Sequence, residues 1–550
     1  MYIVETPSKK SSGKVYHTVL LRESYREEGK VKSRVVANLS KWRPEDIHAL
    51  KIALSNKSSV ALLSTHSECI QGLSIGASYV LYELSKKIGI LDALGADFNG
   101  QLAIWQVLSR VLEQGSRLSA TRIGKIHDLA SVIKLNRGFD ENDLYSNLKW
   151  LSKNQANIEQ NLFERLQNKP TLFLYDVTSS YLEGNCNVFG KYGYNRDGKK
   201  RKKQIVIGLL CDQEGTPVSV EVFEGNTQDV KTFNNQVNKV VDRFKCHNVT
   251  FVGDRGMIKK DQIQKVSDQN CQYITALTLP QLKKLIRDKV LSLENFQASL
   301  QEITVNNLRF IYRCNPDRAK ESMMARMERL AKVQEKVDAE NLRLSEKTLT
   351  EPLCAKKTIQ KYLKRLCVHE WVTVKLLARE LRLVIDDEAL KEKAKYDGCY
   401  VLKTNEISKE ITARTIFERY KDLALVESAF RTCKTTLLEV RPIYVRSSNS
   451  TRGHVFVVML AYLLIRELTK SWEHLDLSAE EGLKKLSTIS FNEIEIPNAS
   501  SIRYIPRPDD LSSDLLRALN IELPSQIAKN TAPVVSRKAI RKSSALKTTS

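Results

Sequence analysis

The chain has 550 residues, of which 42% are hydrophobic and 27% are charged, so it is long enough for several domains with buried cores. This composition excludes a wholly disordered protein, and the formal net charge of +23 favours polyanionic partners such as nucleic acid. The 10 cysteines are scattered from Cys69 to Cys433, which excludes a zinc ribbon or a disulfide framework and indicates a reducing compartment.

The sequence gives no sign of membrane insertion. The N-terminus lacks an apolar signal core, and the longest apolar run, residues 455–465, is shorter than the roughly 18 residues that a membrane span needs. That run is typical of a buried helix. We therefore expect an intracellular protein with no membrane partner.

Residues 1–60 are expected to form a small β-hairpin module. Two β-branched runs, 15–22 and 31–37, flank a charged turn at Gly29, which is a hairpin signal. The segment holds 12 Lys or Arg and 6 Asp or Glu residues. A small solvated sheet and a module that contacts DNA are therefore equally open interpretations.

Residues 61–165 are expected to form an all-helical domain. Apolar residues recur at helical spacing in 79–89 and 102–108. Asp140 is expected to cap a helix that begins at residue 141. The helical pattern by itself indicates no chemistry.

Residues 166–280 are expected to form a mixed α/β unit. Short apolar runs joined by tight turns come first, and later runs alternate with helical segments at about 229–246 and 259–268. This order resembles that of an RNase H-like mixed five-stranded sheet flanked by helices, in which the first and fourth strands are neighbours. The five predicted strands are 171–177, 204–210, 217–223, 249–253 and 272–276.

The α/β pattern is interrupted at residues 281–398 and returns at 399–475. The interrupting segment begins with a highly charged helical stretch and continues with short strand-like pieces, so we interpret it as an insertion domain. Residues 476–550 are expected to form a C-terminal helical region and a basic tail. Within that tail, residues 525–550 contain six Lys or Arg and no Asp or Glu, and we expect them to be disordered.

Three carboxylates stand out as candidate catalytic residues and metal ligands. Asp176 and Asp254 each close a predicted strand, and Glu427 lies within a predicted helix. A carboxylate in an apolar strand is costly to bury unless it is paired or bound to metal. Asp254, in a Gly-Asp-Arg-Gly stretch, is also open to interpretation as a simple turn former. If the fold brings the three carboxylates together, they would offer the oxygen ligands that Mg²⁺ or Mn²⁺ prefers.

The surroundings of Glu427 favour a site beside a phosphate backbone. Tyr420, Leu423, Glu427, Arg431 and Lys434 are spaced so that they share one face of a predicted helix. Arg and Lys can hold phosphate there, and Tyr can donate a hydrogen bond to it. An ordinary surface helix with an ion pair between Glu427 and Arg431 is the alternative.

These residues resemble the motif of DDE transposases from bacterial insertion sequences, in the group that carries an insertion between the second Asp and the Glu. That motif is Tyr, two residues, Arg, three residues, Glu, six residues, Lys. The chain keeps its spacing with Tyr420, Glu427 and Lys434, whereas Leu423 replaces the Arg. Arg431 is one turn beyond Glu427, where it could substitute. The family's two catalytic Asp residues correspond to Asp176 and Asp254.

The resemblance implies a transposase that binds the terminal inverted repeats of its own element, cleaves the ends and transfers a 3′-OH to target DNA. It implies two Mg²⁺ ions, with Mn²⁺ as a possible substitute, held by the three carboxylates. It also implies double-stranded DNA as partner, both terminal repeats and target, and a homodimeric synapse. A cytoplasmic, nucleoid-associated location in bacteria follows from the same likeness.

Several further residues are expected to contact DNA. The loop from Lys191 to Lys203 holds seven Lys or Arg and one Asp, so we favour backbone contact over a merely solvated hairpin tip. Trp371 is the Trp of the insertion, and related hairpin-forming transposases stack such a ring on a flipped base. The loop residues expected to bind DNA are Arg196, Lys199, Lys200, Arg201, Lys202 and Lys203.

Two other functions stay open at this stage. One is a metal-dependent nuclease or resolvase that cleaves DNA without joining strands. The other is a catalytically silent DNA-binding relic, which the replacement at Leu423 keeps possible. The presence of all three carboxylates argues against the relic.

Overall fold

The computed structural model describes residues 1–9, 15–27, 29–55, 68–199, 201–347, 349, 351–408, 410–434, 437–495 and 501–537. Its strands are β1 (Tyr2–Lys9), β2 (Val15–Glu27), β3 (Lys30–Asn38), β4 (Glu68–Ser74), β5 (Leu172–Tyr181), β6 (Gln204–Cys211), β7 (Pro217–Glu224), β8 (Thr250–Gly253), β9 (Gln272–Ala276), β10 (Gln301–Val305), β11 (Leu308–Cys314), β12 (Val372–Leu377), β13 (Glu380–Ile385), β14 (Cys399–Thr404), β15 (Ser490–Glu495) and β16 (Ile502–Tyr504).

The helices of the same part of the chain are α1 (Pro44–Ser55), α2 (Gly76–Lys87), α3 (Ile90–Leu94), α4 (Phe98–Leu112), α5 (Arg117–Arg122), α6 (Leu129–Ile133), α7 (Glu141–Glu164), α8 (Asp229–Asn238), α9 (Lys260–Asp268), α10 (Leu279–Arg287), α11 (Pro316–Glu346), α12 (Pro352–Arg365), α13 (Asp387–Ala394), α14 (Ala413–Lys421), α15 (Leu423–Lys434), α16 (Ser448–Trp472), α17 (Ala479–Leu486) and α18 (Asp510–Ala518). None of these helices is long and apolar enough to cross a membrane.

The chain divides into two compact units. One comprises Met1–Ile88, Ser116–Glu141 and Arg466–Ser550, and the other comprises Gly89–Gly115 and Asn142–Ile465.

The first unit contains the predicted N-terminal hairpin. Strands β2 and β3 pair antiparallel, as predicted, and β1 adds a third strand on the other side of β2. Val19, Leu39 and Ile47 form a small core between this sheet and α1.

Two expectations for the first unit were wrong. Strand β4 lies within 61–165, which was predicted to be helical throughout; it pairs with β15, a partner too distant in sequence for local periodicity to reveal. The tail was predicted to be disordered from residue 525, yet its described part makes hydrogen bonds and an ion pair with other residues of the first unit. The amide of Ile505 donates to the carbonyl of Ser525, and Arg537 forms an ion pair with Asp140.

The second unit is built on a large mixed sheet whose described strands run in the order β10-β11-β14-β9-β8-β5-β6-β7. Strand β5 is parallel to β8, and β8 is parallel to β9, whereas β6 is antiparallel to both of its neighbours. The first and fourth predicted strands are therefore neighbours, as expected.

The prediction of a five-stranded sheet was wrong in strand number. Strand β14 pairs with β9, and β11 then pairs with β14 from Arg309 opposite Thr404 to Cys314 opposite Cys399. Residues 301–314 thus continue the sheet, although they lie in the segment interpreted as an insertion. Their strand signal is present in the sequence, but their partners lie far along the chain.

One hydrophobic core of the second unit packs on one face of this sheet. Phe173, Tyr175 and Val177 of β5 alternate inward and pack with side chains of α8 and α9, among them Phe233 and Val266. The intervening positions of β5 face the opposite side. There Thr178 lines a small apolar cavity together with residues of α15 and α16.

The insertion has a hydrophobic core of its own. Helices α11 and α12 pack on the β12–β13 hairpin, and Val333, Ile359, Trp371 and Val372 are buried there. Two of the strand-like pieces predicted in this segment are thus confirmed as strands.

Candidate active site

Asp176 and Asp254 occupy equivalent positions on neighbouring strands. The parallel register of β5 and β8 ends with Tyr175 opposite Gly253, and the two Asp residues come next. Adjacent strands lie about 4.8 Å apart, so this register places the two carboxylates beside each other. Asp254 follows its strand as predicted.

The prediction that Asp176 ends its strand was wrong. Strand β5 continues to Tyr181 because its other edge stays paired with β6, where Asp176 lies opposite Leu209. Only the edge toward β8 ends at this point. Asp176 is therefore held by a continuous strand on one side and opens to the site on the other.

Glu427 approaches the same place from helix α15. Asp176 points to the sheet face opposite Tyr175 and Val177, and that is the face on which α15 packs. Burial raises the pKa of Asp176 to about 7; Arg196 lowers this pKa, whereas the negative charges of Asp254 and Glu427 raise it. The three carboxylates are thus within electrostatic reach of one another.

The donor set fits a divalent cation. Carboxylate oxygens are the ligands that Mg²⁺ and Mn²⁺ prefer, and burial of Asp176 raises its pKa, so a bound cation would offset the cost of its charge. Among the described residues, no three Asp, Glu, His or Cys side chains are already gathered into a metal-ligating group. The carboxylates share a site without standing in ligand positions.

Tyr420 contacts the site, but on a different helix from Glu427. Its hydroxyl donates a hydrogen bond of 3.3 Å to Oδ1 of Asp254. Burial, followed by the charge of Asp254, raises the pKa of Tyr420, so the hydroxyl stays a donor. The prediction of one continuous helix through this motif was wrong. The helix is interrupted at Asp422, which separates α14 from α15. The carbonyl of Asp422 accepts the amide of Leu425 in a tight turn.

The basic loop lies beside this site. Arg196 forms an ion pair of 2.8 Å with Asp229, the first residue of α8, and its amide donates to Oγ of Ser179. Tyr192 and Tyr194 are 64% and 81% exposed. Exposed aromatic rings interleaved with cations suit a nucleic-acid surface.

The other predicted loop cations have varied surroundings. Lys199 lies 5.9 Å from the ring centre of Tyr181, Arg201 is exposed, and Lys202 pairs with Glu183. Lys203 donates to the carbonyl of Asn185. Lys200 lies outside the described residues.

The two basic residues of α15 differ in exposure. Arg431 is exposed, one turn beyond Glu427. Lys434 is largely buried and pairs with Asp197 at 3.0 Å. A phosphate contact by Lys434 stays a prediction, and in this structure its ammonium group is engaged by protein.

Trp371 lies in the core of the insertion and is 2% exposed. Base stacking by this ring stays a prediction, and it would require the ring to leave that core. The indole N–H finds no hydrogen-bond partner among the described residues.

Sequence reasoning missed Asp197, Asp229 and Arg255. Asp197 lies in the loop that stands out in the sequence for its basic residues, and Asp229 begins a segment predicted only to be helical. Arg255 follows Asp254 and lines a cleft of about 690 Å³ that also contains Tyr420 and Arg329. The residues that line the cleft come from segments far apart in sequence, so no local sequence motif predicts the cleft.

Comparison with known families identifies the chain. The transposase DDE domain model matches residues 167–464, which is more than half of the chain, and the N-terminal domain of IS1634 family transposases matches residues 3–60. No curated protein matches.

Two solved structures show partial likeness. The cryo-EM structure of the piggyBac transposase synaptic complex with hairpin DNA is 11% identical, with a TM-score of 0.36 over 71% of this chain and 71% of that chain. The Mos1 transposase paired-end complex with the left transposon end is 11% identical, with a TM-score of 0.15 over 31% of this chain and 57% of that chain. By the match over residues 167–464, the chain belongs to the DDE transposases, which are metal-dependent enzymes of DNA cleavage and transfer.

Proposed function

We propose that this transposase binds the terminal inverted repeats of its element, cleaves the element ends and transfers the freed 3′-OH to target DNA. The observation that carries the proposal is the placement of Asp176 and Asp254 side by side at the end of the β5–β8 register, with Glu427 close enough to act on Asp176. The strand order β7-β6-β5-β8-β9, with β6 antiparallel to both neighbours, supports an RNase H-like sheet as the scaffold.

Asp176, Asp254 and Glu427 would hold two Mg²⁺ ions, and Mn²⁺ would serve as well. When bound, the ions activate the attacking oxygen and stabilise the leaving oxygen of a phosphodiester. Tyr420 orients Asp254 through its hydroxyl. A hydrogen-bond partner that orients a metal-binding carboxylate in this way tunes the affinity for the metal.

DNA would lie across the basic surface beside the carboxylates. The cleft that begins at Asp254 and Tyr420 carries Arg255 and Arg329, for which the described residues show no ion-pair partner, so it offers positive charge next to the reacting phosphate. Arg431 would supply the positive charge of the motif's Arg, which Leu423 replaces in this chain. The loop residues in this proposal are Arg196, Lys199, Lys200, Arg201, Lys202 and Lys203.

The remaining modules would serve recognition and assembly. We assign DNA contact to the hairpin module at 1–60 and repeat binding to the helices within 61–165. Two copies of the chain would pair two element ends, and the basic surface would keep the protein on nucleoid DNA. The catalytic core would comprise 166–280 and 399–475 together with strands β10 and β11, with the rest of the insertion between them and 476–550 as the C-terminal region.

The test is a cleavage and joining assay on DNA that carries the element's terminal repeats. Wild-type protein should nick the ends in Mg²⁺ and give strand-transfer products, whereas Asp176→Asn should bind the ends equally well and cleave nothing. Cleavage without joined products would favour a nuclease or resolvase. End binding without cleavage by wild type would indicate a silent relic, and unchanged cleavage by Asp176→Asn would reject the site.

A further inference from the structure

Asp197 is a buried carboxylate in the middle of the basic loop. Its side chain is 2% exposed, and Oδ1 accepts from Nζ of Lys434 at 3.0 Å and from a guanidinium nitrogen of Arg441. Its other oxygen, Oδ2, accepts the backbone amide of Tyr181 at 3.1 Å. Every atom of this carboxylate that can accept a hydrogen bond is therefore in use.

The three donors belong to different parts of the site. Tyr181 is the last residue of β5, the strand that carries Asp176. Lys434 is the last residue of α15, and it lies about two turns beyond Glu427. Arg441 lies in the segment that follows α15. A single carboxylate thus ties the strand of one candidate metal ligand to the helix of another.

The backbone around Asp197 is itself fixed. Its amide donates to Oδ1 of Asn195 at 2.8 Å, and the side chain of Asn195 donates back to the carbonyl of Lys199. The amide of Arg196 is held by Ser179 of β5. These backbone contacts hold Asp197 in a defined position that does not depend on Lys434 or Arg441.

The charges make this contact necessary. Burial lowers the pKa of Lys434, and Asp197 raises it again, whereas Arg441 and Arg196 add repulsion. Without the carboxylate, the largely buried Lys434 would face the partly buried Arg441 with no negative charge between them. Removing one partner of a buried ion pair is strongly destabilising because it leaves an uncompensated charge.

We propose that Asp197 is a positioning residue for DNA cleavage: it clamps Lys434 and Arg441, and thereby holds helix α15 so that Glu427 stays beside Asp176 and Asp254. Lys434 is held in this clamp by its ion pair with Asp197. The inference rests on the proposed function, because it assigns a task within that same site.

The experiment compares Asp197→Asn, Lys434→Met and the double variant in end cleavage and in end binding at several salt concentrations. Each single variant should cleave about 10²-fold more slowly, since a small displacement of a reacting group costs that much. In Asp197→Asn, which removes no cation, end affinity and its salt dependence should be unchanged. The double variant should be no worse than either single one, because the two side chains act as a unit.

Glu183→Gln is the matched control. It removes one carboxylate from the ion pair between Glu183 and Lys202 in the same region, but that pair is largely exposed. Cleavage by this control should be unchanged. An equal loss in Glu183→Gln would trace the effect to loop charge in general and overturn the clamp.

Amide hydrogen exchange gives a readout that does not depend on activity. In Asp197→Asn, exchange should accelerate at Tyr181 and through 191–199, while α8 stays protected. Unchanged exchange at Tyr181 would overturn the clamp, whether or not the wild-type protein cleaves DNA. Failure of the wild-type protein to cleave would reject the proposed function instead. If Asp197→Asn does not fold, Lys434→Met decides alone. Exchange through 191–199 in that variant as slow as in wild type would overturn the proposal.

Discussion

Asp176 and Asp254 directly follow the last register pair of two parallel strands, so the sheet itself sets their spacing. Glu427, by contrast, comes from a helix that packs on the sheet face to which Asp176 points. Two ligands are thus fixed by backbone pairing and the third by side-chain packing. The two kinds of support lead to different expectations for substitutions.

The first prediction concerns the two carboxylates other than Asp176. Asp254→Asn and Glu427→Gln should each lower end cleavage by roughly 10³-fold or more, because residues that act as a unit fail together. Binding of terminal-repeat DNA, measured by gel shift, should stay within about twofold, since neither change removes a cation. Glu418→Gln, which breaks only an exposed ion pair with Arg414, is the control and should cleave normally. Normal cleavage by Glu427→Gln would remove Glu427 from the site.

The second prediction concerns the hydroxyl of Tyr420. Tyr420→Phe should weaken Mg²⁺ activation of cleavage by about 10-fold, because a partner that orients a metal ligand is worth 10–100-fold in affinity or activity. The measurement is the Mg²⁺ concentration that gives half-maximal cleavage. Tyr400→Phe is the control, because the Tyr400 hydroxyl is buried with no hydrogen-bond partner among the described residues. Equal effects of the two changes would refute an orienting role for Tyr420.

The third prediction concerns pH and the stability of metal-free protein. Burial raises the pKa of Asp176 from 3.8 to about 7 in the folded chain. The stability contributed by the protonated group is therefore fully present below the unfolded pKa and is lost as pH rises through about 7. Asp176→Asn carries no such loss.

Urea unfolding in a chelator at pH 5 and pH 8 measures this difference. The advantage of Asp176→Asn over wild type should grow by roughly 1–3 kcal/mol between the two pH values. Added Mg²⁺ should stabilise wild type and leave the variant unaffected. A pH-independent difference would show that the carboxyl of Asp176 is not held in an unfavourable environment.

The fourth prediction concerns the basic loop. Replacing Lys199 and Arg201 with Gln should weaken binding to all DNA sequences alike and reduce the slope of log affinity against log salt by about 0.9 for each lost phosphate contact. Fluorescence anisotropy at several salt concentrations measures the slope. Lys484→Gln, which removes a cation paired with Glu480 elsewhere on the surface, should leave the slope unchanged. An unchanged slope in the loop variant would exclude the loop from the DNA interface.

Local sequence patterns predicted much of the sheet. The runs at 204–210, 217–223 and 272–276 became β6, β7 and β9 with at most one residue of difference at an end. Apolar alternation and turn residues are local signals, so they mark such strands well. Asp176 was placed at a strand end because the apolar run weakens there, whereas pairing with β6 carries the strand on to Tyr181.

The clamp at Asp197 shows what such patterns cannot reveal. In sequence, Asp197 is one acidic residue among seven basic ones, where a turn former would be unremarkable. Its partner Lys434 is 237 residues away, and only the packing of α15 on the sheet brings them together. The motif spacing singled out Lys434, but spacing alone cannot show whether a cation faces a phosphate or a buried carboxylate.

Mn²⁺ binding tests the central claim most directly. Electron paramagnetic resonance on the complex of wild-type protein with terminal-repeat DNA should show two Mn²⁺ ions per active site, coupled because such ions lie only about 4 Å apart. The coupled signal should disappear in Asp176→Asn bound to the same DNA. A signal of the same stoichiometry and coupling in that variant would contradict a metal site shared by Asp176, Asp254 and Glu427.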